Sequence, residues 1–239
     1  MIPQWQKGLV KRIEQATPHT RRYWIELPET ENFNFKPGQF ITFDLPISEQ
    51  KNKRWRSYSI ASRPDGGNIV ELAIVHLDNG IGSAYIFNEI KEGSELTVRG
   101  PQGVFTLPEN FDKDYYFICT GTGVAPFRSM LRYIYHNNIP TKKLHLIFGT
   151  RTQKDILYES EMKELATKLP QFSYHVALSR EDKAGYRKGY LHGIYELLAN
   201  PSVPAHFMLC GWRPMVDEAK KRLKDMGFGS KDIKEELYG

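Results

Sequence analysis

Cysteine is scarce: Cys119 and Cys210 are the two in 239 residues, and they stand far apart in the chain. That excludes the clustered ligand spacing of a zinc or iron–sulfur centre, so no metal is expected and redox chemistry would need a non-covalent organic cofactor. Long apolar runs are missing too. No stretch approaches the roughly 18 to 20 residues that cross a bilayer, and MIPQWQKGLVKR reaches charge before a signal-peptide core develops. The expectation is a soluble, cytoplasmic chain with no membrane partner. Internal repeats and low-complexity runs are absent, and no basic cluster alternates with aromatics along one element, so a nucleic-acid platform is not expected. The net charge of +5, with a pI near 9.0, tilts the surface toward acidic partners.

What is present falls into two halves with different apolar periods. Up to about residue 100 the pattern is short and strand-like: Tyr23, Ile25 and Leu27 alternate, and GQFITFDL and NIVELAIVHL read as further strands. Turn formers at Lys36-Pro37-Gly38 and Pro64-Asp65-Gly66-Gly67 separate them, which suggests a closed or nearly closed antiparallel barrel. After RGPQGVFTLPENFDK the pattern alternates strand with helix. YYFIC, KLHLIFG, FSYHVAL, HFMLC and IKEELY read as strands. Helix faces are marked by Phe127, Met130, Leu131 and Ile134, by Met162 and Leu165, and by Val216, Ala219 and Leu223. Such alternation predicts an α/β domain with a parallel sheet. The fold class is therefore two-domain, an antiparallel β-barrel over residues 1–103 followed by an α/β domain over 112–239.

Each half carries a candidate anion site. In the second, a strand ends at Thr120-Gly121-Thr122-Gly123-Val124-Ala125-Pro126 and a helix follows, so close backbone approach and free helix N–H groups suit a pyrophosphate. The spacing is not GxGxxG, and taken alone a glycine turn between strand and helix is an ordinary structural device. In the first, Gly82 and Ser83 open a short helix, and Arg56 in RWRSYSIAS offers a guanidinium fork that matches phosphate oxygens. Alone, Arg56 reads more readily as a surface strand arginine.

Taken together, PGQF (37–40), Arg56-Ser57-Tyr58-Ser59, Gly82-Ser83, GPQGVF (100–105), GTGVAP (121–126), FGTR (148–151), LSRE (178–181), LCGWRPM (209–215) and Glu236-Leu237-Tyr238 occur in an order and at separations that resemble the ferredoxin–NADP reductase superfamily. The resemblance covers nearly the whole chain. It implies an FAD-binding barrel, an NAD(P)-binding α/β domain, and hydride transfer between NADPH and the flavin with electrons passed to ferredoxin or flavodoxin, whose usual acidity suits the +5 charge. It also implies roles. Arg56 and Ser57 would bind flavin, Tyr58 would lie against its ring, and Ser59 would hydrogen-bond near its hydride-accepting nitrogen. Arg56 and Tyr58 share one side of the strand, and Ser59 has the other parity. Gly82 and Ser83 would hold the flavin pyrophosphate, favouring FAD over FMN. Thr120, Gly121, Thr122, Gly123, Ala125 and Pro126 would take the reductant's pyrophosphate. Ser179 and Arg180, with Arg151 nearby, would meet a 2′-phosphate, favouring NADPH over NADH. Cys210, with Gly211 and Met215, would lie by the nicotinamide. Tyr238 would cover the flavin and Glu236 would help balance protons. Gly239 after Tyr238 departs from plant-type members, which end on an aromatic residue.

Two other readings stay open on the sequence. One keeps the fold and uses NADH, as the reductase component of an oxygenase system; with no cysteines for a fused iron–sulfur domain it would need a separate ferredoxin. The other is a non-catalytic flavin-binding electron-transfer subunit, against which GTGVAP and CGWRPM both stand.

Overall fold

A computed structural model describes residues 3–238, and the elements below are those found among these residues. They form two compact units. One runs up to Leu107 and also takes in Ala125–Tyr133; the other comprises Pro108–Val124 and the chain from Ile134 onward. Residues 125–133, which the sequence reading gives to the second domain, thus group with the first.

The first unit is antiparallel. Its strands β1 (Trp5–Thr17), β2 (Thr20–Glu26), β3 (Phe40–Asp44), β4 (Trp55–Ser59), β5 (Ile69–Val75) and β6 (Glu95–Gln102) lie in the order β4-β3-β6-β1-β2-β5. The two ends of that sheet meet. Ile60, just past β4, bridges to Leu72 on β5, and the Ala61 amide donates to the Glu71 carbonyl at 2.7 Å. Closure removes open edges. Strand β1 has the irregularity closure needs: its register with β2 shifts between Val10 and Arg12 and again between Gln15 and Thr17, and such shifts bend a strand. Period-two alternation sends Tyr23, Ile25, Ile41, Phe43, Leu72 and Val98 inward to one core. Helix α1 (Ile81–Glu89) adds Ile86 to that core and sets the ring of Phe87 edge-on to Tyr23. Strand β5 is buried on both faces, because Glu71 and Ala73, opposite in parity to Val70, Leu72 and Ile74, are covered as well.

The second unit is a parallel sheet. Strands β7 (Asp114–Thr120), β8 (Leu144–Thr150), β9 (Phe172–Leu178), β10 (Arg187–Lys188), β11 (Ala205–Trp212) and β12 (Ile233–Tyr238) lie in the order β10-β9-β8-β7-β11-β12. The chain steps outward from β7 to β10, then returns to the other side of β7 with β11. That reversal lies between β7 and β11, whose carboxyl ends are where an open parallel sheet binds ligands. The helices are α2 (Val124–His136), whose residues 125–133 belong to the first unit, α3 (Glu159–Lys168), α4 (His192–Leu198) and α5 (Arg213–Asp225). On one sheet face Ile118, Ile147, Phe207 and Leu209 pack with Ile194 and Tyr195 of α4 and with Val216, Ala219 and Leu223 of α5. Helix α5 opens with Pro214 in its first turn and ends with Arg222 and Lys224, as the backbone geometry and helix dipole favour. No helix among the described residues is long and apolar enough to cross a membrane.

A half-buried polar cluster lies across β7, β8 and β9. Ser173 Oγ bonds His145 Nδ1 at 2.7 Å and His175 Nε2 at 3.0 Å, and the His145 ring stacks on Tyr116 at 4.6 Å. Burial first, and the neighbouring His175 second, bring His145 down to about 4; burial also lowers His175. Unfolded histidine titrates near 6.5, so the unfolded chain binds more protons between these values. The stabilisation from keeping His145 neutral is complete above about pH 6.5 and is lost as pH falls toward 4. Thermal melts should therefore drop between pH 7 and pH 5, and His145→Gln should shrink that drop; an equal drop in the variant would clear His145 of responsibility.

Candidate functional site

In the first unit, Arg56 lies on β4, where its Nη1 donates to the carbonyls of Lys53 at 3.0 Å and Trp55 at 2.8 Å. The first turn of α1 comes against it. A β-carbon at Gly82 would stand 2.6 Å from Arg56 Nε, so only glycine lets the helix backbone approach that guanidinium. Gly80 begins α1 without a side-chain cap, which leaves the opening N–H groups of Ile81, Gly82 and Ser83 to an outside acceptor. Cation and helix N-terminus thus converge on one anion cradle. The steric room at Gly82 and the donor set both fit the pyrophosphate of FAD.

The neighbours divide by strand parity. Tyr58, on the Arg56 side, packs against Phe43 with ring centroids 5.4 Å apart, and burial pushes its phenol up so that it stays neutral. Ser57 faces the other way, its hydroxyl 2.9 Å from that of Thr42. Ser59 is buried at the end of β4. Ser83 is also buried, and its hydroxyl is engaged within the loop: it accepts from the Leu77 amide at 3.0 Å and reaches the Gly80 carbonyl at 3.0 Å. What Ser83 holds here is the loop before α1, and its amide is the group left for a phosphate.

In the second unit, Thr120 ends β7 and Gly121–Gly123 form a single tight turn before α2. A β-carbon on Gly123 would overlap the Cys210 carbonyl. One on Gly211, whose φ is +137, would stand 2.5 Å from Thr120 Oγ1. The turn after β7 and the end of β11 therefore touch through bare backbone, which brings Thr120, Gly121, Thr122, Gly123, Cys210 and Gly211 together at the sheet's carboxyl end. Ala125 and Pro126 lie in the first turn of α2 and group with the first unit. Met215, on α5, packs against the sheet core.

At the ends of β8 and β9 the Ser179 amide donates to the Thr150 carbonyl and the Arg180 amide to the Arg151 carbonyl, each at 2.9 Å. Arg151 and Arg180 are thereby neighbours, and both are exposed. Strand β10 sets Arg187 beside Ala177 of β9. Nearby acids are engaged otherwise: Glu181 accepts from the Gln153 amide at 2.7 Å, and Asp182 pairs with Lys188 at 2.9 Å.

The two cysteines stand side by side, Cys119 on β7 in register with Cys210 on β11, and both are fully buried. Neither opens onto the surface. Burial holds both thiols well above their ordinary range; for Cys210, Glu236 adds to this and a hydrogen bond with Tyr238 works against it. Cys210 is therefore a neutral thiol, and the terminal strand β12 brings both residues of the tail motif to it. Trp212, which sequence reasoning did not single out, is exposed beside Gly211.

An anion cradle beside a tyrosine in a closed barrel, and a glycine turn at the reversal of a parallel sheet, fit a flavin- and pyridine-nucleotide-dependent oxidoreductase. Family models agree: an oxidoreductase FAD-binding domain matches residues 7–107 and an oxidoreductase NAD-binding domain matches residues 117–221. The chain is 32% identical over 234 residues to a ferredoxin–NADP reductase B of Sorangium cellulosum, covering 95% of this chain and 94% of that one. It is 30% identical over 233 residues to the glycine betaine monooxygenase reductase subunit of Pseudomonas aeruginosa, covering 95% of this chain and 63% of that protein's length. A solved ferredoxin NADP+ reductase from Neisseria gonorrhoeae, with bound FAD and NADP, superposes with a TM-score of 0.81 at 25% identity, covering 98% of each chain. The chain belongs to the ferredoxin–NADP reductase superfamily. It is a flavin oxidoreductase, an FAD-dependent NAD(P)H reductase that passes electrons onward.

In an FAD complex that uses this cradle, Arg56 would make a charged contact. Such a hydrogen bond contributes about 1.5 to 3 kcal/mol, so Arg56→Ala should weaken FAD binding about tenfold to a hundredfold. Equilibrium dialysis of FAD against the folded variant measures this, and a wild-type dissociation constant would remove Arg56 from the site.

Proposed function

We propose that this protein oxidises NADPH and delivers the electrons to a ferredoxin or flavodoxin in the cytoplasm. The observation that carries NADPH over NADH is the group at the ends of β8 and β9: Arg151 and Arg180 are joined through their backbones, with Arg187 on β10, and none of the three has a carboxylate partner among the described residues. Exposed guanidinium groups with their fork free match a phosphate monoester, the feature that separates the two reductants.

The chain's own residues divide the work. Arg56 and the opening amides of α1 hold the flavin pyrophosphate, Tyr58 offers an aromatic face, and the Ser59 hydroxyl is the donor or acceptor closest in sequence to that face. The turn Gly121–Gly123 gives the reductant's pyrophosphate a close approach to backbone amides. Cys210 keeps its proton, so it shapes and fills the site without competing as a nucleophile. Bound FAD supplies the capacity to take two electrons and to release them singly. The positive net charge favours encounter with an acidic acceptor.

A second reading, an NADH-dependent reductase component of an oxygenase system, is favoured by the likeness to the monooxygenase reductase subunit. The two separate in one experiment. With FAD bound and oxygen excluded, NADPH should bleach the visible flavin band faster than NADH. Arg180→Ala should lower kcat/KM for NADPH about tenfold to a hundredfold, the worth of one charged hydrogen bond, and leave NADH nearly unchanged. Faster bleaching by NADH, or equal losses with both, would favour the oxygenase-type reading.

A further inference from the structure

Strand β5 carries a carboxylate where its neighbours are apolar. Glu71 is 4% exposed, and its two oxygens are held by different arginines: Arg22 Nε at 2.6 Å and Arg128 Nη1 at 2.9 Å. Arg22 also meets Glu14 at 3.2 Å, so Glu14, Arg22, Glu71 and Arg128 form an alternating chain of charges that reaches Arg128, itself 5% exposed. All four belong to the first unit. Taking such charges out of water is costly, and well-packed apolar residues usually stabilise a core as much or more. What the charges add here is direction.

Arg128 uses the same Nη1 to donate to the carbonyl of Ala61 at 2.8 Å. Next to it, Ser129 Oγ donates to the Ser62 carbonyl at 2.6 Å. From the other side, the Ala61 amide donates to the Glu71 carbonyl at 2.7 Å and the Glu71 amide donates to Ser62 Oγ at 3.0 Å. The segment 60–62 is therefore clamped between β5 and the helix residues 128–129. That segment continues β4 directly. Ser59 is two residues upstream of Ala61 and Tyr58 three, and an extended backbone advances only about 3.3 Å per residue, so a shift at Ala61 is transmitted to both.

We propose that Arg128 is a positioning residue for the flavin: through Ala61 and Glu71 it fixes the end of β4 that carries Tyr58 and Ser59. The inference rests on the flavin reading of β4. It assigns a role to a residue outside the Arg56–α1 cradle and explains why a buried strand of a small barrel contains a glutamate.

Arg128→Met tests it. The variant should take up FAD as wild type does, because Arg56 and α1 are untouched, and its KM for NADPH should change little. The rate of flavin reduction at saturating NADPH should fall about tenfold to a hundredfold, as misplacement by an ångström does. The visible spectrum and midpoint potential of the bound flavin, measured without nucleotide, should move as well. Since Arg128→Met strands Glu71 beside Arg22 and lowers stability, Glu71→Met/Arg128→Met is made alongside. It should recover the melting temperature and keep the slow rate and altered spectrum. Wild-type rate, spectrum and potential in both variants, or recovery of the rate together with the melting temperature in the double variant, would overturn the proposal. Wild-type protein that takes up no flavin would instead overturn the functional reading from which this one starts.

Discussion

Two chain segments meet at Gly123 and Gly211 at the carboxyl end of the parallel sheet, and the nucleotide half of the molecule is arranged around that contact. Gly123 lies against the Cys210 carbonyl and Gly211 against Thr120, the latter at a φ of +137 that residues with a β-carbon rarely adopt. The contact falls between β7 and β11, where the chain has reversed direction. A side chain at either glycine would push the turn after β7 away from β11. The helix start, the buried thiol of Cys210 and the end of β12 would lose their common reference.

The barrel solves the matching problem with charge. A single guanidinium and the N-terminus of a nine-residue helix are brought together at Gly82, and the strand that carries the guanidinium also carries the aromatic ring. The anion cradle thus draws on one strand and one helical turn. The rest of the barrel keeps these two at a fixed distance.

Much of this was legible in the sequence, for identifiable reasons. Strands β7, β8, β9 and β11 are short apolar runs bounded by turn residues, β12 is a short run that alternates charge with Ile233, Leu237 and Tyr238, and the reading places each within a residue or two of its observed ends. The glycines of GTGVAP and the arginine of RWRSYS carry steric and electrostatic signals that survive without a structure. Helix α4 was missed because seven residues with Leu197 exposed show little amphipathic period, and β10 because two residues show none. The use of Ser83 inside its own loop and the outward turn of Ser57 depend on partners, Leu77, Gly80 and Thr42, that no spacing rule names. The charge chain through Glu71 was invisible for the same reason. Its members lie on three strands and a helix, and the reading gave Arg128 to the other domain.

Strand β10 is held to β9 by two residue pairs, Arg187 with Ala177 and Lys188 with Leu178, and the segment from Ser179 to Gly189 returns to the sheet through the Gly189 amide on the Leu178 carbonyl. The sheet's apolar core does not run through this segment. Its length and charge are thus nearly decoupled from the stability of the fold, so residues 179–189 can change while β7, β8, β9, β11 and the glycine contact at their carboxyl end stay as they are.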